Sequence, residues 1–292
     1  MNAIVATTTW NCVDLISSFL AHYQRLGFQR VLVMDFNSVD GTRELLTSYE
    51  WSSFVVVQPF PGIAGLDSSN LLLASAKRSS TSDCWCLFCD PDEFLITPSM
   101  TIGDLSAHMK GGDSLVLPRF NVTAERSIAQ FDQDRLTADD ALTLRIDRQH
   151  QRRIDPHALT EPLDPPWIFT AIPGKAFVSI ATTIAIGDGD HTAATVGPGV
   201  PTPEGVYLLH YPFRSFRSFA AKIQLAESDF AANRDLPPTY GWQLRRWIEL
   251  ARRGQLFEEY LCQFVPDQDV ERLLQDGTLA RECRIATRRQ PA

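Results

Sequence analysis

The chain has 292 residues, of which 44% are hydrophobic and 21% are charged. This is ordinary globular composition, which excludes wholesale disorder, and the length suffices for one large domain or for a domain with an appendage. The formal net charge of -8 argues against a general nucleic-acid binder, because a phosphate backbone requires a basic surface.

Neither the opening residues nor the apolar runs indicate a secreted or membrane-spanning protein. The opening MNAIVATTTWN has no basic stretch followed by a long apolar one, unlike a secretory signal. No window approaches the roughly 20 apolar residues of a membrane helix. We therefore expect a cytoplasmic protein, for which peripheral association with a membrane stays compatible with the sequence.

Short, uninterrupted apolar runs predict five strands in the first 120 residues: AIVATTT (3–9), RVLVMD (30–35), FVVVQ (54–58), CWCLFCD (84–90) and SLVLPRF (114–120). Such runs are typical of strands buried on both faces of a mostly parallel sheet. Apolar residues at helical spacing predict helices over 13–26, 41–49 and 68–78. This alternation predicts βαβ units and an α/β fold.

The pattern changes after residue 120. Residues 121–170 are charged, proline-containing and irregular, which is typical of a functional or a mobile segment. The later periodicity predicts strands over 175–186 and 205–211, followed by helices over 215–232, 240–253 and 266–277. We accordingly expect a main α/β domain over 1–212 and a C-terminal helical extension over 213–292.

Three of the six cysteines lie in CWCLFC (84–89), a spacing also found in zinc sites. However, no second pair of Cys or His follows at a useful distance, and Trp85, Leu87 and Phe88 indicate a buried strand. Free cysteine is among the most buried residue types, so we favour a structural role for these thiols.

Acidic residues follow the fourth predicted strand in LFCDPDEFL (87–95). Pro91 has no N–H and stops the ladder, and extended geometry would aim the Asp90 and Asp92 carboxylates to the same side. Two like charges this close repel unless a cation or a shared proton lies between them. Mg²⁺ or Mn²⁺ is the expected cation, since both prefer oxygen ligands. The alternative is an ordinary polar turn after a strand.

The segment VLVMDFNSVDGTRELL (31–46) resembles the strand–DNSSTDGT–helix signature of family 2-like glycosyltransferases of the GT-A fold, and DPDEF (90–94) resembles the D-x-DEF motif of one subgroup. Residues 11–28 are similar to that subgroup's opening, GKAFVSI (174–180) to its lysine-containing strand, and LLHYPFRSFRSFAAKI (208–223) to its late HY block. The chain departs from the family at Cys12, where the family has Glu after Asn, and at Phe36, in an otherwise polar position.

The resemblance implies a GT-A-type, mostly parallel sheet flanked by helices, and a metal-dependent transfer of sugar from a UDP- or GDP-sugar with inversion. It implies that Asp92 is the direct ligand of Mn²⁺ or Mg²⁺ and that the acceptor is a saccharide, free or lipid-linked, bound by residues 121–205 and the C-terminal helices. The donor site would comprise Thr8, Trp10, Asp35, Asp90 and Arg214, and the metal site Asp90, Asp92 and His210.

An inverting transferase needs a base that deprotonates the acceptor hydroxyl as it attacks the anomeric carbon. The loop GDGDH (187–191) offers Asp190 first, with His191 and Asp188 behind it. The glycines of this loop are equally typical of an ordinary turn.

Two other functions stay open. A catalytically inactive glycan-binding or scaffold domain would account for Cys12 in place of the family's acid, although the intact DPDE argues against it. A nucleotidyltransferase also combines an α/β sheet with metal-binding acids, but it usually has a basic, glycine-rich first loop, unlike ATTTWN. QLRRW (243–247) matches a motif of processive polysaccharide synthases, which we interpret as the apolar side of an amphipathic helix.

Overall fold

A computed structural model describes residues 2–60, 67–81, 83–106, 108–109, 111–131, 143–152, 155, 157–233 and 235–282. Residues 132–142, in the predicted acceptor segment, and Cys283 lie outside this range. The chain divides into unit 1, residues 1–119 and 173–210, and unit 2, residues 120–172 and 211–292. This differs from the expected division at residue 212, because the segment 120–172 groups with the C-terminal residues.

The strands, in chain order, are β1 (Asn2–Thr9), β2 (Val31–Asp35), β3 (Val55–Gln58), β4 (Cys84–Phe88), β5 (Glu93–Ile96), β6 (Ser114–Leu117), β7 (Arg119–Thr123), β8 (Leu144–Ile146), β9 (Lys175–Ser179), β10 (Thr183–Ile186), β11 (Ala193–Thr195), β12 (Tyr207–His210) and β13 (Leu279–Arg281). The helices are α1 (Val13–Arg25), α2 (Thr42–Leu46), α3 (Ser68–Ser79), α4 (Gly103–Ser106), α5 (Arg126–Phe131), α6 (Phe216–Ala232), α7 (Trp242–Arg252), α8 (Leu256–Cys262) and α9 (Val270–Gln275).

Most predicted elements are present near their expected ends, but two predicted strands are each divided. The run 114–120 forms β6 and β7, because Pro118 between them has no N–H to continue the ladder. The run 175–186 forms β9 and β10. Seven elements were not predicted: the strands β5, β8, β11 and β13 and the helices α4, α5 and α8.

The central sheet of unit 1 has the strand order β3-β2-β1-β4-β9-β6. Neighbours from β3 to β4 pair in parallel, whereas β9 runs antiparallel to both β4 and β6. Helix α3 packs Leu72, Leu73 and Ala76 against Ile4 and Leu32 of this sheet. The predicted α/β fold with a mostly parallel central sheet flanked by helices is therefore confirmed.

A second pairing in unit 1 brings two distant segments together. Strand β12 pairs antiparallel with β5, and in this register His210 lies opposite Glu93. The end of β12 thus lies beside the acidic segment that follows β4.

In unit 2, β8 pairs antiparallel with β7 and with β13, which joins the segment after residue 120 to the C-terminal residues. Helix α7 buries Trp247, Ile248 and Leu250 in the core of this unit. This agrees with the interpretation of QLRRW as part of an amphipathic core helix. The Trp247 ring contacts the rings of Trp167, Phe213 and Phe219.

The thiols of Cys84, Cys86 and Cys89 are free and buried, as the structural interpretation requires. Burial raises the pKa of the Cys86 and Cys89 thiols well above the usual range. Because the thiolate is the reactive form, these side chains are chemically inert packing groups. In the part of the chain that the structure describes, no helix has the length and apolarity needed to cross a bilayer.

Candidate functional site

The loops that follow β1 and β2 are held together by hydrogen bonds. Asp35, buried at the end of β2, accepts hydrogen bonds from Thr9 Oγ1 at 3.2 Å and from Ser38 Oγ at 2.5 Å. The backbone N–H of Asn11 donates to Ser38 Oγ at 2.9 Å, and that of Val39 donates to Asn11 Oδ1 at 2.8 Å. Asp35 therefore organises the two loops at the carboxyl edge of the sheet, whatever else it contacts.

Two residues that follow β2, Asp40 and Thr42, also cap the N-terminal end of α1. The N–H of Cys12 donates to Thr42 Oγ1 at 2.9 Å, and the N–H of Val13 donates to Asp40 Oδ2 at 3.0 Å. Such side-chain acceptors satisfy donors that the first turn of a helix leaves free. The side chain of Cys12, where the family has Glu, is buried. Thr8 and Trp10, the other expected donor contacts on this edge, are half-buried.

The segment after β4 is a turn rather than an extension of the strand. Strand β4 ends at Phe88, and the N–H of Glu93 donates to the carbonyl of Asp90 at 3.0 Å. Pro91 then occupies the second position of a four-residue turn, where its fixed φ is favourable. The expectation that extended geometry aims Asp90 and Asp92 to one side is therefore wrong. The two carboxylates have different partners.

Lys175 is the cation at the centre of the acidic cluster. It reaches the carboxyl end of β4 because β9, which it begins, runs antiparallel to β4. Its Nζ lies 2.9 Å from Asp90 Oδ2, 3.7 Å from Glu93 Oε2 and 3.6 Å from Asp190 Oδ2. It also donates to the carbonyl of Gly189 at 2.9 Å. Burial acts to lower the pKa of Lys175, but the surrounding carboxylates outweigh it and raise that pKa.

Glu93 fixes the turn 90–93 through its hydrogen bonds. It is fully buried, its Oε1 accepts a hydrogen bond from Arg119, and its Oε2 accepts one from the N–H of Asp90 at 2.9 Å. Burial raises the pKa of Glu93 to about 7, although Lys175 and Arg119 act against this. Arg119 is fixed in turn by donating from Nε to the carbonyl of Pro173 at 2.7 Å. Both oxygens of Glu93 are thus engaged by the protein.

Asp92 and His210 form a separate pair. Their Oδ2 and Nε2 atoms lie 3.8 Å apart, and the two side chains are 16% and 11% exposed. A carboxylate oxygen and an imidazole nitrogen are donors that suit Mn²⁺. The described residues contain no group of three or more His, Cys, Asp and Glu that could hold a metal ion. The expected trio of Asp90, Asp92 and His210 is not assembled there, because an oxygen of Asp90 lies against Lys175.

The loop 187–191 brings Asp190 into the same cluster. Asp190 adopts a φ of 63°, and its Oδ1 accepts a hydrogen bond from Ser69. Burial raises the pKa of Asp190, while the charge of Lys175 works against that rise. Asp188, in the same turn, is exposed.

His191 has a defined tautomer. Its Nδ1 lies 2.8 Å from the carbonyl oxygen of Gly174, which can only accept, so Nδ1 carries the proton. Burial lowers the pKa of His191, which favours the neutral ring. The neutral ring then carries its lone pair on Nε2, the form that a general base requires.

Two of these groups were missed or undervalued at the sequence level. Lys175 appeared only as part of a lysine-containing strand, and Arg119 not at all, although each is a lone cation at the edge of an apolar run. Arg214, an expected donor contact, lies in unit 2 just before α6 and is half-buried.

No protein-family model and no curated protein matches this chain. Among solved structures, it is similar to S. aureus TarS 1-349 in complex with UDP-GlcNAc, at 13% identity and a TM-score of 0.44, over 89% of this chain and 79% of that one. It is also similar to S. aureus TarS 1-349 in complex with UDP, at 15% identity and a TM-score of 0.43, over 94% and 78%. Likeness at these TM-scores carries no conclusion about what this chain binds.

Proposed function

We propose that this chain is a metal-dependent glycosyltransferase that moves a sugar from a nucleotide-sugar donor to a saccharide acceptor with inversion. One observation carries the proposal: the Asp92–His210 pair lies next to the Lys175-centred cluster, beyond the carboxyl end of β4. In α/β sheets this edge is where ligands bind. Acidic and imidazole side chains there fit a cation and a diphosphate better than they fit a scaffold role.

The nucleotide would lie on the loops after β1 and β2. Their hydrogen-bonded arrangement around Asp35 gives a fixed surface, on which Thr8 and Trp10 are half-buried and thus partly accessible. Trp10 would stack on the base, since an indole face is a suitable platform for a planar ring.

A divalent cation would be held by Asp92 and His210, with diphosphate oxygens and water as its remaining ligands. When bound, it would neutralise the charge that builds up on the leaving nucleotide. Asp90 would support this arrangement by holding the turn 90–93 to Lys175, which leaves Asp92 directed at His210.

For the base we propose His191 ahead of Asp190. Burial raises the pKa of Asp190, but its carboxylate oxygens are already engaged, one by the hydroxyl of Ser69 and the other near the ammonium of Lys175. His191 is neutral and presents a lone pair on Nε2. Asp190 and Lys175 would then fix the loop that carries this base, because Lys175 also binds the carbonyl of Gly189.

The test is to incubate the protein with a panel of UDP- and GDP-sugars, Mn²⁺ and mixed oligosaccharides, and to measure released nucleotide and glycosylated product. Asp92→Ala should abolish product formation, while Asp83→Asn, an exposed acid in the same unit, should not. Metal-dependent nucleotide binding without any product would instead favour the inactive glycan-binding domain. The buried Cys12 at the family's acid position is the observation that keeps that second function in view.

A further inference from the structure

Unit 2 contains a cavity that none of the residues proposed for donor binding or catalysis lines. Its volume is about 130 Å³, the space of about four water molecules at roughly 30 Å³ each. This is room for one sugar-sized ring that stays partly in solvent. The lining residues are Arg152, Asp155, Ala158, Leu159, Glu161, Pro162, Leu163, Trp242 and Arg246.

One of the two arginines in the cavity builds its wall. Arg246 is buried, and its NH1 donates to the carbonyls of Leu159 at 2.7 Å and Glu161 at 2.6 Å. Its NH2 donates to Glu259 Oε2 at 2.8 Å, which balances its charge. Arg246 therefore fixes the segment 159–161 and is largely engaged by the protein.

The other arginine has only neutral partners. Arg152 donates from Nε to Thr170 Oγ1 at 2.7 Å and from NH2 to the carbonyl of Pro166 at 3.2 Å. Among the residues that the structure describes, no carboxylate forms an ion pair with it. Burial and the neighbouring charge of Arg246 lower the pKa of Arg152, and Asp164 and Glu259 oppose this more weakly. An anion placed against the Arg152 guanidinium would supply the charged hydrogen-bond partner that these two neutral contacts do not.

The remaining lining suits a sugar ring rather than a bare ion. Trp242 offers an indole, and Leu163 and Pro162 add apolar surface, against which the C–H groups of a pyranose would pack. Asp155 and Glu161 are exposed carboxylates in the lining that would accept hydrogen bonds from hydroxyl groups. Cation, aromatic ring and acceptors thus surround one small space.

We propose that this cavity binds a saccharide bearing an anionic group, with its carboxylate or phosphate against Arg152 and its ring against Trp242. The further statement that this saccharide is the acceptor rests on the proposed transferase function. The binding itself requires neither donor nor metal, so the two can be tested separately.

The experiment is a calorimetric titration of the full chain, without nucleotide or metal, using D-glucuronate, glucose 6-phosphate, D-glucose, acetate and inorganic phosphate. At least one of the two charged sugars should bind about tenfold more tightly than D-glucose and than its own free anion. The glucuronate and glucose 6-phosphate arms distinguish a carboxylate ligand from a phosphate ligand.

Substitutions in the cavity test whether the charged sugar binds at Arg152 and Trp242. Arg152→Met should reduce the affinity for the charged sugar to that for D-glucose, whereas Arg148→Met should leave it unchanged. Arg148 is the matched control because it is an exposed arginine of the same unit whose NH2 donates to the carbonyl of Asp276 at 2.9 Å. Should Arg152→Met fail to fold, as judged by circular dichroism, Trp242→Leu decides, and it should weaken binding of charged and neutral sugars alike.

Equal affinities for charged and neutral sugars, or a free anion that binds as well as the charged sugar, would overturn the inference. So would full binding by a folded Arg152→Met or Trp242→Leu protein. Charged-sugar binding without nucleotide release from any donor would contradict only the proposed transferase function. Nucleotide release without charged-sugar binding would contradict only this inference.

Discussion

The ammonium of Lys175 lies 2.9 Å from Oδ2 of Asp90, at the carboxyl end of β4. This contact changes how the acidic segment is understood, because a protein cation relieves the repulsion that the sequence assigned to a metal. Asp90, Glu93 and Asp190 share this lysine, and Asp92 is left as the acid beside His210. The carboxylates that hold the turn to Lys175 are thus different from the one that would bind a metal ion in the proposed function.

Replacing Lys175 with Met should destabilise the protein by about 3–5 kcal/mol, because it leaves buried carboxylates without their counter-charge. Its side chain is only 2% exposed, so water cannot take over its role. The free energy of unfolding from urea denaturation measures this. Lys77→Met is the control: Lys77 donates to the carbonyl of Thr183 at 2.6 Å, and its loss should cost much less. Equal losses in the two variants would show that the cluster does not depend on Lys175.

The pH dependence of transfer should reveal the base. If His191 is the base, kcat/KM rises with pH along a limb whose midpoint lies below the usual histidine pKa of about 6.5, since burial lowers the pKa of His191. His191→Gln should lower kcat by about 10²–10⁴-fold and remove this limb. Asp190→Asn should keep the limb, even where its rate is reduced. The reverse pattern, with the limb lost only in Asp190→Asn, would assign the base to Asp190.

Protonation of His22 should lower the free energy of unfolding as the pH is lowered from 6.5 to 4, whereas Glu93, whose pKa is raised to about 7, acts in the opposite direction. His22 is buried in α1, its Nε2 lies 2.8 Å from the carbonyl of Leu95, and burial lowers its pKa to about 4. Between these pH values the unfolded chain binds the proton and the folded chain does not, so protonation favours unfolding by up to about 3 kcal/mol.

On acidification across that pH range, His22→Gln should therefore lose less free energy of unfolding than the wild type, or gain some, because the opposing effect of Glu93 remains. His108→Gln, which changes an exposed histidine, should retain the wild-type slope. An unchanged slope in His22→Gln would mean that another group controls the acid response.

The sequence predicted the elements whose apolar patterns are unambiguous. Strands β1 to β4 and helices α1 and α3 follow from their periodicity, and so does the position of Asp35 and the acidic turn at one edge of the sheet. The elements could be predicted because they depend on local composition. The position of the site could be predicted because ligands bind at the carboxyl ends of parallel strands.

The contacts inside the site depended on pairing that periodicity does not encode. Only the antiparallel register of β9 brings Lys175 to Asp90, and only the pairing of β12 with β5 brings His210 to Asp92. The turn at 90–93 was likewise missed, since Pro91 signals the end of a strand but not the direction in which each aspartate points. The grouping of residues 120–172 with the C-terminal residues depends on the pairing of β8 with β13.

The most direct test of the account is calorimetric binding of UDP and GDP with and without Mn²⁺, for the wild type, Asp92→Asn, His210→Gln and the control Asp83→Asn. We expect Mn²⁺ to tighten nucleotide binding about tenfold or more in the wild type and in Asp83→Asn. In Asp92→Asn and His210→Gln this effect of Mn²⁺ should be lost. A wild-type affinity that is the same with and without Mn²⁺ would contradict the proposed metal–nucleotide site, as would an undiminished effect of Mn²⁺ in Asp92→Asn.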